Sequence, residues 1–227
     1  MSIVSVGKKI VKRNPKFSSI ISPVHNALSF NKRKISGNSN RIIGMNQSFV
    51  SATNIRIVGN NNTIEFGNSC YLKDCNFCIK GDNNRIVLGD NFYGINVEFW
   101  IQDEENLIEI GENTSIGGAT QLAATEGKTI KIGKNSLFAS DISVRTGDSH
   151  SIFQEGERIN LAKDVCVGDN VWVATNTTLL KGAGIPNNSI VGTGALVTKK
   201  FVNPNVLIVG SPAKVVKENV EWTNERI

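Results

Sequence analysis

Two histidines occur in the chain, His25 and His150, and only His150 lies among other reactive side chains. It follows Asp148 by two residues, inside a polar stretch that runs from 141 to 160. A neutral imidazole has a pKa near the usual working pH, so His150 is the candidate general base for a reaction in which a hydroxyl attacks. Asp148 is expected either to orient the imidazole or to hold its loop, and the sequence leaves both roles open. His25 has no partner motif.

Two arginines, Arg145 and Arg158, lie in the same polar stretch. Guanidinium groups pair well with carboxylates. Arg145 and Arg158, together with Asp148, are therefore predicted to bind the acceptor molecule, and an acidic acceptor is favoured.

Four cysteines are present, at positions 70, 75, 78 and 166. Cys75 and Cys78 have the spacing of half a zinc site, but a structural site needs four ligands and no second pair exists. We therefore expect no metal, and free thiols that fill small core positions. Cys166 is the alternative nucleophile; because no histidine neighbours it in sequence, direct transfer to the acceptor is favoured over an acyl-enzyme.

The residues that must position this stretch form two repeats. Four strand-like blocks, each alternating apolar and polar positions and each ending in glycine, recur every 22 residues, with glycines at 67, 89, 111 and 133. Farther along, aliphatic residues recur at every sixth position, and they are Leu161, Val167, Val173, Leu179, Ile185, Val191 and Val197; Val209 and Val215 resume the series after a break at Asn203.

A three-sided coil explains the period of six, because each face takes six residues and each turn takes 18, with one aliphatic side chain pointing inward on every face. The 22-residue period fits the same coil with extra residues at a corner. From about residue 42 to 197 this gives roughly eight coils, which is more than the three that a solenoid needs to bury a core. The fold class predicted is all-β, a parallel β-helix.

Three segments follow from this pattern: a basic N-terminal extension over 1–40, the solenoid domain over 41–210 with a loop inserted at 145–160, and a C-terminal helix or tail over 211–227. Pro212 suits the first turn of such a helix. A polar loop on a rigid scaffold is where binding and catalytic residues tend to lie, so the site is expected there.

Charge is unevenly distributed. Residues 1–64 contain ten Lys or Arg and no Asp or Glu, so this segment carries +10 against +5 for the whole chain. The basic segment is expected to meet phospholipid headgroups or an acidic polysaccharide, or to be only a solvated extension. The stretch from Ile3 to Ile21 is a weak candidate for an interfacial membrane segment, because it lacks a clean helical stripe.

No apolar run is long enough to span a bilayer, and no secretory signal is visible at the N-terminus. A cytoplasmic location is predicted, with peripheral contact to the inner membrane through the basic segment. No nucleic-acid partner is expected.

The chain from about 141 to 222 resembles the O-acetyltransferase branch of the hexapeptide-repeat family, and within it the polysialic acid and capsular polysaccharide O-acetyltransferases. The residues that carry the likeness are Thr146-Gly-Asp148-Ser-His150, Gly156-Glu-Arg158-Ile-Asn160, Gly168-Asp-Asn-Val-Trp172, Leu180-Lys181-Gly182, Val197-Thr198-Lys199 and Gly210-Ser211-Pro212-Ala213-Lys214. The resemblance implies a left-handed parallel β-helix, a homotrimer with the active site between subunits, and acetyl-CoA as the cosubstrate.

The resemblance also assigns roles to residues. His150 would be the base and Trp172 would shape the site near the thioester, so both are predicted as catalytic. The residues predicted to bind acetyl-CoA are Trp172, Thr175, Thr193, Thr198, Lys199, Lys214 and Lys217. The acceptor implied is a hydroxyl of a bacterial surface saccharide, with sialic acid in a capsular polysaccharide as the specific candidate.

Two alternatives remain open. The same scaffold serves N- or O-acetyltransferases that act on a small sugar, a sugar nucleotide or an antibiotic. A non-catalytic solenoid would have no affinity for acetyl-CoA. A zinc-dependent carbonic anhydrase on this fold needs three histidine ligands, and the chain has two.

Overall fold

The structure is a computed structural model that describes residues 15–225, and it is a three-sided parallel β-helix. The chain passes from a strand on the first face to one on the second and then to one on the third, with a corner between each pair. It then returns to the first face, and the new strand is stacked on the strand of the preceding coil. Period-two alternation places aliphatic residues inside and polar residues outside, as the burial pattern of Asn54–Val58 shows.

Within the described residues each face is one sheet. The first face holds β1 (Lys32–Ser36), β4 (Asn54–Val58), β7 (Asn76–Lys80), β10 (Val97–Gln102), β13 (Thr120–Ala124), β16 (Ser143–Arg145), β21 (Thr178–Leu179) and β24 (Leu196–Val197). The second face holds β2 (Arg41–Ile43), β5 (Thr63–Phe66), β8 (Arg85–Leu88), β11 (Leu107–Ile110), β14 (Thr129–Ile132), β19 (Val165–Val167) and β22 (Gly184–Ile185). The third face holds β3 (Phe49–Ser51), β6 (Tyr71–Lys73), β9 (Tyr93–Ile95), β12 (Ser115–Ile116), β15 (Leu137–Phe138), β20 (Trp172–Val173), β23 (Ile190–Val191), β25 (Leu207–Val209) and β26 (Lys214–Lys217).

The 22-residue glycines are required for space between coils. A Cβ on Gly89 would lie 2.5 Å from the backbone nitrogen of Glu112 in the next coil. The left-handed residue at this corner is Asn91, with φ of 57°, two positions after the glycine. The glycine therefore permits the close stacking of coils, and the asparagine makes the turn.

The core is a continuous column of aliphatic and aromatic side chains. Phe77 and Phe99, from adjacent coils, are fully buried, and their rings stack with centroids 4.5 Å apart. Such a column makes a rigid support for loops that leave its corners.

The six-residue series is confirmed from Val167 to Val197, where every member is buried. The prediction is wrong at both ends of the series. Leu161 is 57% exposed, because it belongs to the inserted loop before β19 begins. Val209 is only partly buried and Ile208 points inward instead, because Leu207 pairs with Ile190, a spacing of 17 that shifts the register by one. Val215 lies on the exposed strand β26.

The N-terminal end of the solenoid is closed by helix α1 (Pro15–Leu28). Asn26 ties this helix to the first coil: its side-chain amide donates to the carbonyl oxygens of Met45 and Ser48, and its oxygen accepts from the amide of Val50 at 2.8 Å. The solenoid begins at Lys32, earlier than the predicted boundary at 41. Much of the predicted interfacial segment from Ile3 to Ile21 lies outside the described residues.

At the other end, the segment expected to be a C-terminal helix or tail over 211–227 contains a short strand. Lys214–Lys217 pairs antiparallel with β25, because the edge of the third face offers free backbone groups there. In the part of the chain that the structure describes, no helix has the length and apolar character needed to cross a bilayer.

Candidate active site

The inserted loop, residues 146–164, leaves the solenoid at the corner between the first and second faces. It contains a short antiparallel hairpin of β17 (Phe153–Gln154) and β18 (Glu157–Arg158). Its base is fixed by Thr146, whose hydroxyl is buried against Thr125 and whose carbonyl oxygen accepts from the amide of Lys163 at 2.9 Å. The loop therefore projects from a rigid footing.

Asn160 is buried, and its side chain hydrogen-bonds to three residues of the loop. Its side-chain nitrogen donates to the carbonyl oxygen of His150 at 2.7 Å and to the carboxylate of Asp148 at 2.9 Å. Its side-chain oxygen accepts from the amide of Ile152 at 2.7 Å. One side chain thus fixes the main chain on both sides of position 150.

Lys181, on the next coil, ties the loop to the solenoid. Its ammonium donates to the Asp148 carboxylate and, at 3.0 Å, to the carbonyl oxygen of Asn160. These contacts with Lys181 and then Asn160 hold the pKa of Asp148 below its usual value. Asp148 therefore holds the loop, and among the described residues it makes no hydrogen bond to the imidazole.

His150 itself is exposed to solvent. No side chain or backbone group in residues 15–225 forms a hydrogen bond with its imidazole, while Asn160 fixes its carbonyl. The ring is therefore open to contact by a molecule bound beside the loop. His25, in contrast, packs edge-on against Phe49 at 5.4 Å, beside helix α1 and far along the chain from the loop.

Both arginines of the stretch have partners inside the chain. Arg158 forms an ion pair with Glu126 at 2.6 Å, and this guanidinium lowers the pKa of that carboxyl. Arg145 donates to the Gln121 side-chain oxygen at 2.5 Å and remains partly exposed on the first face. Its charge has no acidic partner among the described residues, whereas that of Arg158 is neutralised.

The residues predicted to bind acetyl-CoA lie at two corners. Trp172 is outward on the third face, 38% exposed, and its ring lies 6.1 Å from that of Trp222. Thr175 and Thr193 follow at the corner from the third face to the first, stacked on successive coils, since the amide of Gly194 donates to the Thr175 carbonyl.

The lysines divide between the same corners. Lys214 begins the exposed strand that pairs with β25 near the third-to-first corner, and Lys217 ends that strand. Thr198 and Lys199 are exposed at the first-to-second corner, which also carries the loop and Lys181. Within one chain, therefore, Trp172 lies on the third face, whereas His150 lies on the loop at the first-to-second corner.

The cysteines divide in the same way. Cys70 and Cys75 are buried, and burial raises the pKa of each thiol to about 11. Cys166 is exposed and Cys78 is partly exposed, so the expectation of core thiols is wrong for both. Each alternates with inward residues of its strand, β19 for Cys166 and β7 for Cys78. Among residues 15–225 no group of three or more His, Cys, Asp or Glu is placed to hold a metal ion.

The sequence did not single out Asn160, Lys181 or Glu126 as site residues. Lys181 and Asp148 are 33 positions apart, and only the stacking of coils brings them together. Asn160 and Lys181 lie inside the motifs that carried the resemblance, which was the available signal.

Comparison with known proteins gives two sets of relatives, and no family model matches the chain. Over 71 residues, 30% of the chain, it is 42% identical to the polysialic acid O-acetyltransferase of Neisseria meningitidis and 35% identical to that of Escherichia coli O1:K1 / APEC. These matches span 33% and 23% of the two relatives, about a third of their length or less.

Two solved structures match nearly the whole solenoid. The polysialic acid O-acetyltransferase OatWY is 34% identical, with a TM-score of 0.82, over 87% of this chain and 93% of that one. The polySia-specific acetyltransferase NeuO is 25% identical, with a TM-score of 0.77, over 86% and 89%. The chain therefore belongs to the hexapeptide-repeat acetyltransferases, a family of left-handed parallel β-helices, in the same group as the polysialic acid O-acetyltransferases.

Proposed function

We propose that the chain transfers the acetyl group of acetyl-CoA to a hydroxyl of a sialic-acid-containing capsular polysaccharide, with His150 as the general base. The observation that carries the proposal is an exposed imidazole, without a partner among the described residues, on a loop that Asn160, Asp148 and Lys181 hold in place. The likeness to OatWY over 93% of that chain supports the reaction class.

In the reaction proposed, His150 removes the proton from the acceptor hydroxyl as its oxygen attacks the thioester carbonyl carbon. A new carbon–oxygen bond forms, a tetrahedral intermediate collapses, and the carbon–sulfur bond breaks. The imidazolium then returns its proton to the departing thiolate. This direct route leaves Cys166 without a role.

Acetyl-CoA is proposed to lie along the corner from the third face to the first. Thr175 and Thr193 would flank the pantetheine arm, because they are stacked one coil apart, Thr175 partly exposed and Thr193 exposed. Lys214 and Lys217, exposed on the neighbouring strand, would meet the phosphates as point charges. Thr198 and Lys199, at the corner that carries the loop, would contact the acetyl-CoA that lies along the third-to-first corner of a neighbouring subunit.

A homotrimer with shared sites is proposed from two apolar surfaces. The third face carries a row of outward side chains that are aromatic or aliphatic except at Ser115, namely Phe49, Tyr71, Tyr93, Ser115, Leu137, Trp172, Ile190 and Leu207. The loop exposes Phe153 and Ile159, at 65% and 57%. Such surfaces mark interaction sites, and a neighbouring subunit would bring its Trp172 to this chain's His150.

The acceptor contacts are proposed for Arg145, whose charge is unpaired among the described residues. Arg158 and Asp148 are proposed to shape the loop rather than to meet the acceptor, since each already has an oppositely charged partner. We also propose a cytoplasmic site of action, with peripheral membrane contact through the basic N-terminal segment, which carries ten Lys or Arg and no Asp or Glu over residues 1–64.

The test compares His150→Gln with His25→Gln, which removes the other histidine of the chain. CoA release is followed with acetyl-CoA and a panel of capsular polysaccharides, small sugars and amino sugars, after both variants show the wild-type circular dichroism. Loss of the base should lower kcat by about 100-fold to 10,000-fold, and the His25 variant should stay close to wild type. Undiminished turnover in His150→Gln would refute the mechanism, and turnover with small sugars alone would refute the acceptor.

A further inference from the structure

The three faces of the solenoid differ in their outward side chains. On the second face two of the cations are neutralised, because Arg85 pairs with Glu65 at 3.5 Å and Lys131 with Glu109 at 3.1 Å, while Arg41 has no acidic partner among the described residues. The third face is largely apolar, as described above. The first face is the cationic one, and its positive charges lack acidic partners.

Outward positions on the first face fall into straight rows, because each strand pairs in register with the next. The central row, from the N-terminal end to the loop, consists of Lys34, Arg56, Cys78, Trp100, Ala123 and Arg145. Lys32 and Lys80 stand in the rows on either side.

Charge on this face is one-sided. Lys32, Lys34, Arg56 and Lys80 are exposed, and none forms an ion pair with a described residue. The acidic residue of these rows, Glu98, accepts hydrogen bonds from Gln121 at 2.6 Å and Asn76 at 3.3 Å. Its carboxylate is held by these neutral amides and not by the cations.

Trp100 interrupts the cations near the middle of the central row. Its neighbours in the row are Cys78 and Ala123, which are small, so the partly exposed indole is not covered by a large side chain from either strand. A partly exposed aromatic ring, with Arg56 two strands before it and Arg145 two strands after it, offers a stacking surface for the apolar face of a sugar.

The row has a direction. Six strands stacked at about 4.8 Å place Lys34 about 24 Å from Arg145 along the solenoid axis. Arg145 ends β16, and the loop that carries His150 begins at the next residue. A ligand lying along this row would therefore extend from the N-terminal end of the solenoid to the footing of the catalytic loop.

We propose that the first face, along the row from Lys34 to Arg145, is a binding track for a linear acidic polysaccharide, so that the enzyme holds a polymer while one of its residues is acetylated. The carboxylates of the polymer meet the cations, and Trp100 contacts a sugar ring between them. This inference rests on the proposed function, because it assigns the acceptor to that same site.

Charge complementarity and shape favour a polysaccharide over a membrane surface. Three of the cations, Lys34, Arg56 and Arg145, lie in one row along the axis that ends at the loop, as a chain molecule requires. The outward residues at the free end of the face are mostly polar or charged, with Val58 as the apolar exception. An anionic membrane would be bound by charge spread across a plane, together with inserted apolar side chains.

The test uses the full chain with Lys34→Gln, Arg56→Gln and Lys80→Gln combined. Each cation contributes about twofold to fivefold to binding at an exposed site. For polysialic acid of defined length we expect KM to rise about 10-fold to 100-fold with kcat unchanged, and no change in turnover of a sialic acid dimer. Calorimetry with polysialic acid in the absence of acetyl-CoA should show the same loss of affinity, which keeps the test independent of the reaction.

The matched control is Arg41→Gln, Arg85→Gln and Lys131→Gln, which removes three positive charges from the second face. An equal rise in KM in this control would overturn the track, because it would reveal only an effect of net charge. The track would also be overturned if the first-face variant kept the wild-type KM and affinity for the polymer. It would be overturned too if that variant lost sedimentation with phosphatidylserine vesicles while its polymer binding stayed intact. If the wild type binds the polymer but transfers no acetyl group, the proposed function fails and the track stands.

Discussion

Asp148 gives the sharpest prediction about the loop, because its contacts can be removed without touching the imidazole. Asp148→Ala deletes the bond from Asn160 and the partly exposed ion pair with Lys181, while the bonds from Asn160 to His150 and Ile152 remain. The Asn160 bond is worth about 0.5–1.5 kcal/mol, and the ion pair, discounted for exposure, at most about 1 kcal/mol.

Together these losses weaken loop docking by about 1–2 kcal/mol, which corresponds to about fivefold to thirtyfold in its equilibrium constant. Hydrogen exchange of the Ile152 and Ile159 amides, which are bonded only when the loop is formed, should accelerate by that factor. The value of kcat/KM should fall by no more than the same factor, well short of the loss expected for the base itself.

The control is Asp90→Ala, which removes an exposed carboxylate that accepts the amide of Asn68 at 2.7 Å on a distant corner. It should leave both the exchange at Ile152 and turnover unchanged. Unaltered exchange in Asp148→Ala would refute the reasoning, and so would a loss of global stability equal to the local effect.

Acid should act on the same contact. The pKa of Asp148 is lowered in the folded chain, so its stabilising effect is complete above the unfolded pKa of about 3.9 and is lost as pH falls through the lowered value. In the wild type, the hydrogen-exchange rate of the Ile152 amide should therefore rise below about pH 4 and approach the rate in Asp148→Ala. If the ratio of the two exchange rates stays constant across that pH range, the role of the carboxylate is contradicted.

Two further predictions concern the thiols and the core. Cys166→Ser should retain wild-type turnover if transfer is direct, and loss of activity in this variant would favour an acyl-enzyme. In the wild-type protein a thiol reagent should label Cys166 well before Cys70, because the Cys70 thiol is buried and has a pKa of about 11. Phe77→Ala should lower the free energy of unfolding by about 3–5 kcal/mol, measured by denaturant titration, because it leaves a cavity beside Phe99 in a fully buried stack. A loss under 1 kcal/mol would mean that the coils relax around the cavity.

The repeats allowed the solenoid to be predicted because they report local geometry that every coil obeys. Six-residue spacing fixes the inward positions from Val167 to Val197. The same register places Cys166 outside, against the expectation that free cysteines fill core positions. The errors lie where one coil departs from the repeat. Ile190 and Leu207 are 17 residues apart, one fewer than the 18 of a regular coil, so the inward position moves to Ile208. The six-residue period does not predict where a coil is one residue shorter.

The site was predictable in part, since an isolated histidine within an interruption of the repeat is visible in the sequence. Its supports were not predictable from spacing, because the contact between Lys181 and Asp148 depends on which residues of successive coils share a corner. The helix α1 that closes the solenoid depends likewise on a long-range contact, from Asn26 to Met45, Ser48 and Val50.

The central claim is that this chain places an acetyl ester on an acidic polymer. Mass spectrometry of polysialic acid after incubation with wild-type protein and acetyl-CoA tests it most directly. The account predicts sugar residues that gain one acetyl group, removable by mild base, and an unmodified polymer after incubation with His150→Gln. A polymer that stays unmodified with the wild type, or an acetyl group that resists base as an amide does, would contradict it.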